Sequence, residues 1–160
     1  MIEEKLLSIC RAFPAPSADT VVIEEPYIPF IPENWNHVLI LAESQNLSLR
    51  NAGYVTDLKS SSQTERLRRL YWERDGGIGV LPWDDGSLKL AVVSALNLDH
   101  SCTAVSNAVL WSQRGDSEQN VNPSVNLHAV STDLWAEMLA ILNPRLIISS
   151  GNVADSVIHN

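Results

Sequence analysis

The sequence predicts an α/β fold, a three-layer αβα sandwich built on a short parallel sheet, and three observations predict it. Apolar runs stand at 37–42 (HVLILA), 103–111 (TAVSNAVLW) and 146–148 (LII). Strands covered on both faces read as continuous runs of this kind, whereas half-exposed antiparallel strands alternate. Segments with helical apolar spacing lie between the runs, and alternation of buried strands with amphipathic helices implies a parallel sheet layered between helices. The helix carrying Val130 to Leu142 is cut short by Asn143-Pro144 immediately before a strand, so a helix feeds a parallel strand.

Taken in order, residues 2–13 read as a short amphipathic helix ended by Pro14 and Pro16. Ser17 to Glu33 carries Pro26, Pro29 and Pro32 with Tyr27, Ile28, Phe30 and Ile31 between them. Proline fixes φ and removes a donor, so an extended, packed arm is expected there. Residues 1–33 are therefore assigned to this helix and arm, packed on a domain spanning 34–160. His37 to Ala42 forms the first strand, followed by a polar loop. Ser62-Gln63-Thr64-Glu65 has the form of a capping box and opens a helix to about Glu73, which Asp75-Gly76-Gly77 ends. After IGVLPW, Asp84-Asp85-Gly86-Ser87 opens a helix expected to gather Leu88, Ala91, Val92, Ala95 and Leu96 on one face. The two aspartates read as its N-terminal cap. Thr103 to Trp111 is the second strand, and Ser112 to Asn126 a long polar loop of the kind that carries function or moves.

Val130, Leu134, Trp135, Met138, Leu139, Ile141 and Leu142 recur at helical spacing, and Leu146 to Ile148 reads as a short buried strand. Gly151 supplies a tight turn, and 152–158 begin a helix whose partner strand the sequence does not contain. The domain is thus expected to lack its final strand.

A chain of 160 residues with 45% hydrophobic and 19% charged content is one globular domain by the usual size scale. No apolar run approaches the roughly 18 residues of a membrane span, and the first residues lack a signal peptide's basic flank and apolar core, so the reading is cytoplasmic. Cys10 and Cys102 are expected as reduced core thiols. His37, His100 and His128 lack ligand spacing, so no metal site is expected. A net charge of −8 argues against broad binding to phosphate backbones, which depends on Lys and Arg. Lys59, Arg66, Arg68, Arg69 and Arg74 nevertheless put five of the eleven basic residues in one stretch. That stretch is either a solvated helix face or a local anion-contacting patch through which single- or double-stranded DNA would be met.

In parallel sheets of this type, ligands sit at the carboxyl ends of the strands where strand order reverses. Glu43 to Asn46, Asn107 to Gln113 and Ser149 to Asn152 should converge there. With the segment around Trp83, these stretches resemble the motif set of the uracil-DNA glycosylase superfamily over roughly 35–158. LILAESQN stands where that family has its Gly-Glu-Ala-Pro-Gly loop, with Glu43 similar to the family glutamate and Gln45-Asn46 in place of Pro-Gly. GVLPW resembles the family's Gly-x-Pro-Phe, with Trp83 as the aromatic, and VSNAVLW resembles its Leu-Asn-Ala-Val-Leu, with Asn107 as the asparagine. ILNPRLIISSGNVADSVI is similar to its Leu-x-Pro-x-x-Ile, strand, glycine and helix, while the His-Pro-Ser loop that should follow is missing.

The resemblance implies hydrolysis of the N-glycosidic bond of uracil in DNA for base excision repair. Trp83 would stack on an extruded base, Asn107 would read the uracil O4 and N3-H, and Glu43 would orient or deprotonate water. Each residue also has a structural reading: Trp83 as a packing aromatic, Asn107 in an internal hydrogen bond, Glu43 as a cap on the following turn. Without the histidine, the leaving uracil anion loses a donor, a loss typically worth about 10²-fold or more in rate. An inactive glycosylase-like binding or accessory module is therefore the alternative. Two cysteines cannot supply the four thiolates of the iron-sulfur branches, and no cofactor is expected. An ordinary nucleotide-binding domain is disfavoured because no glycine-rich phosphate loop follows any strand.

Overall fold

The computed structural model describes residues 2–13, 28–29, 31–44, 87–111 and 124–159. Its core is a three-stranded parallel sheet: β1 (Val38–Ser44) lies in the middle, β2 (Ala104–Val109) on one side and β3 (Leu146–Ser149) on the other. Among the described residues four α-helices accompany it, α1 (Ile2–Ala12), α2 (Ser87–Ala95), α3 (Val125–Leu142) and α4 (Asn152–His159), with a 3-10 turn at His100–Cys102. The chain is thus α/β, with helices and parallel strands alternating as the apolar runs predict. The helix expected over 62–73, Trp83, Asp84-Asp85 and the basic stretch from Lys59 to Arg74 all lie outside the described residues.

The sheet is pinned at its entry by one side chain. Asn36 accepts from the Val38 amide at 3.0 Å and donates to the Thr103 hydroxyl at 2.8 Å, and its own amide donates to the Cys102 carbonyl at 2.9 Å. These bonds fix the register of β1 against β2, Ile40 opposite Val105 and Ala42 opposite Asn107. Register matters because a one-residue slip would exchange the faces of every side chain. Trp35 adds a bond from its indole N-H to the Val38 carbonyl at 2.9 Å and stacks on His37 with ring centroids 4.7 Å apart. His37 takes a φ of 61°, so β1 begins one residue later than the apolar run does.

β1 also runs two residues further than the run implies, because Ser44 still pairs with Val109. Glu43, expected in the loop, is therefore the penultimate residue of a strand. Over β2 lies α3, capped at its start by the Ser124 hydroxyl, which accepts from the Leu127 amide, and closed by Asn143 in the left-handed conformation. Asparagine adopts that conformation readily, and Pro144 follows where the helix cannot continue. Leu127, Leu134, Trp135, Met138 and Leu142 face inward, while Ile141 turns outward, and Ser131 takes a core position one turn before Trp135. The buried indole of Trp135 donates to the Ala108 carbonyl at 2.8 Å, clamping helix to strand. α1 packs on α3, and α4 packs on α3, β1 and β2. Ile28 and Ile31, the described apolar residues of the proline-rich segment, sit in the same core.

Two expectations are corrected. On α2 the inward stripe is Lys89 and Val93, flanked by half-buried Leu88 and Val92, while Ala91, Ala95 and Leu96 face out. The helix is rotated to bring Lys89, rather than a fully apolar face, toward the 3-10 turn and the charge of Asp99. The strand at 146–148 is not buried: Leu146 is 43% exposed and the rest of β3 is half-buried, because among the described residues it lacks the packing of α3 and α4 that covers β2.

Candidate functional site

The carboxyl ends of β1 and β3 meet the start of α4, where strand order reverses about the central strand. Ser150 donates its amide to the Leu41 carbonyl at 2.8 Å, drawing the chain after β3 against β1. Gly151 then turns at a φ of 96°, a conformation that favours glycine. A Cβ built there would fall on the carboxyl group of Glu43, so the glycine also clears room for that side chain. Glu43 Oε1 accepts from the Val153 amide at 3.4 Å. The carboxylate thus meets one of the first amides of α4, which point out of the helix without intrahelical partners and favour negative charge. Asp155 lies on the same helix and accepts from the Ser149 hydroxyl at 3.2 Å.

Asn107 sits two residues before the end of β2, 1% exposed. Among the described residues, neither its Nδ2 nor its Oδ1 has a hydrogen-bond partner. A buried amide left unsatisfied costs on the order of 1–3 kcal/mol, and most buried polar atoms find a partner. Side chains alternate between the faces of a strand. The register puts Asn107 on the face of Ala42, Ile40 and Val105, and Glu43 on the opposite face with Leu41 and Ser106. Glu43 and Asn107 therefore share the same end of the sheet but not the same face. Trp83, the third sequence-derived site residue, lies outside the described residues.

Four further features of the fold escape sequence reasoning. The buried Ser131 hydroxyl has no partner among the described residues, and its place between Leu127 and Trp135 on one helical stripe was a legible signal. Lys89 is 2% exposed, and burial pushes its ammonium down to about 8, against the opposing pull of Asp99 and Cys102. No spacing rule marks a lysine for burial. Asp99 is held below the usual carboxylate range by hydrogen bonds from the Ser101 hydroxyl and amide, at 2.7 and 2.8 Å. His128 and Ser156 lie 2.7 Å apart between α3 and α4, but the serine hydroxyl donates to the Val153 carbonyl at 3.0 Å. The pair therefore staples α4 to α3.

Cys10 and Cys102 are both unbridged, and no group of three metal-ligating side chains occurs among the described residues. Nor is any described helix long and apolar enough to cross a membrane. Comparison with known proteins finds no matching family model and no match among curated proteins.

Proposed function

We propose that this chain is a cytoplasmic uracil-DNA glycosylase-like protein, an αβα sandwich that binds an extruded pyrimidine of DNA through Asn107. The observation that carries the reading is the buried carboxamide on a core strand, without a partner among the described residues. A carboxamide offers one acceptor and two donor hydrogens in a plane. It complements the uracil edge by accepting from N3-H and donating to O4. A bound base would satisfy two polar atoms that otherwise remain desolvated, and unstacking lets a protein reach that edge. Trp83 is the proposed stacking partner, and the basic stretch Lys59, Arg66, Arg68, Arg69 and Arg74 the proposed contact to the DNA backbone.

Among the described residues, nothing bonded to the Asn107 side chain fixes which way its amide points. A reversed amide presents a donor to cytosine N3 and an acceptor to its amino group. Uracil and cytosine are therefore expected to bind within about tenfold of one another, a gap of about 1.4 kcal/mol.

Hydrolysis of the N-glycosidic bond, with Glu43 orienting water, is the second reading, supported by its carboxylate at the carboxyl end of the sheet. Against it stand the bond from Glu43 to the Val153 amide and the register that turns Glu43 away from Asn107. A water activated by Glu43 and a base held by Asn107 lie on opposite sides of β1 and β2. We therefore favour base binding without turnover, an accessory or binding role. A single-stranded deoxyuridine oligonucleotide decides between the readings. Binding should be lost in Asn107→Leu, a variant more stable than the wild type by about 1–2 kcal/mol because it removes two unsatisfied polar atoms. Release of free uracil that Glu43→Gln abolishes would establish the hydrolytic reading instead. Unchanged binding in Asn107→Leu would remove both.

A further inference from the structure

The outer edge of β3 is unpaired among the described residues. Leu146 and Ser150 direct their amides at the His37 and Leu41 carbonyls of β1, at 3.4 and 2.8 Å. By alternation Ile148 also faces β1, so the N-H and C=O groups of Ile147 and Ser149 point away from the sheet. No strand meets them among the described residues. The strand is half-buried to exposed, carries no charge and no proline along its length, and is preceded by exposed Arg145. Edge strands commonly bear charge, proline or a covering element that prevents pairing, and this one has none of these among the described residues.

We infer that two copies of this chain associate through antiparallel pairing of β3, about a two-fold axis perpendicular to the sheet and passing beside Ile147. Such an axis keeps the helices of both copies on matching sides and requires paired residues to share a face. Ile147 then faces Ile147 of the second copy, and the two residues exchange N-H to C=O bonds. Leu146 faces Ile148 on the other side of the sheet, in both directions, so every directly opposed pair at the centre is apolar. Two further bonds run from each Ser149 amide to the Arg145 carbonyl of the other copy.

The flanks supply the argument for a second copy over some other strand. In this register Arg145 of one copy lies opposite Ser149 of the other, on the face that carries α4. The Ser149 hydroxyl is bonded to the Asp155 carboxylate, which places an exposed anion beside that position. Arg145 is itself exposed and has no ion pair among the described residues. Two symmetric Arg145 to Asp155 contacts therefore close the pairing, with local charge balanced although each chain carries −8. Shifting the centre to Ile148 would set Leu146 against Ser150 and Ile147 against Ser149, losing both the apolar pairs and the charge match.

Sedimentation equilibrium of the full chain at about 100 µM and physiological salt should give a dimer mass. Arg145→Glu and Asp155→Arg alone should each weaken it about three- to tenfold, and the double exchange should recover it, as expected of rim ion pairs. Ile147→Lys, which sets two ammonium groups together at the axis, should leave a monomer, with circular dichroism confirming that it is folded. In the wild type, amide exchange at Ile147 and Ser149 should slow as concentration rises. A monomer throughout that range would overturn the inference, as would a dimer that survives Ile147→Lys or forms without protecting those two amides.

Discussion

β2 and β3 flank the same central strand, both run parallel to it, and both lie at a boundary of the three-stranded sheet, yet their burial is opposite. β2, with the sequence AVSNAV, is buried at all six positions. β3, with the more apolar sequence LIIS, is buried at none. Hydropathy alone would have ranked them the other way. The difference teaches that burial here belongs to the position in the assembly: β2 is clamped by Trp135 of α3 and by the Asn36 bonds at its entry, while among the described residues β3 pairs with β1 alone. A buried strand can hold polar groups for a ligand, and an exposed apolar edge can recruit a partner. The proposed binding and pairing roles follow from that exchange.

The clamp is the first place to break the contrast. Trp135→Ala removes a fully buried indole and leaves the Ala108 carbonyl without its donor, so urea denaturation should show a loss of about 3–5 kcal/mol. A comparable truncation on β3, Ile147→Ala, should cost well under half of that.

Lys89 sharpens the comparison from the approach to β2. Its ammonium falls from 10.5 in the unfolded chain to about 8 when folded. Between those values the unfolded chain holds a proton that the folded one has released, so stability rises with pH through this window. Below about 8 both states are charged and burial of the cation costs about 3 kcal/mol, at 1.36 kcal/mol per unit. The stability difference between Lys89→Met and wild type should therefore be largest at neutral pH and shrink toward pH 10.5. A pH-independent difference would show that the ammonium is not desolvated.

The smallest effect lies at the end of β3. Gly151→Ala meets the Glu43 carboxyl and a φ of 96°, and should lower stability by about 1–2 kcal/mol. Combining it with Glu43→Ala should recover the steric part alone. Full additivity in that double-mutant cycle would mean that the two residues do not touch.

The sequence by itself determined that the chain is α/β, that three apolar runs are parallel strands, that Asn143-Pro144 ends α3, and that Gly151 carries the turn into α4. These follow from local chemistry: apolar periodicity, the φ available to glycine, the donor that proline lacks. It also brought Glu43, Asn107 and Gly151 to one end of the sheet. The tertiary structure alone decided which face each side chain takes, because face depends on the pairing of Ala42 with Asn107 and Ser44 with Val109 across residues more than sixty apart in the chain. It decided, too, that Lys89 is buried, that Ile141 and Leu146 are not, and that Glu43 meets the first turn of α4. Sequence patterns record how each segment prefers to fold. Only long-range contacts set what each segment folds against.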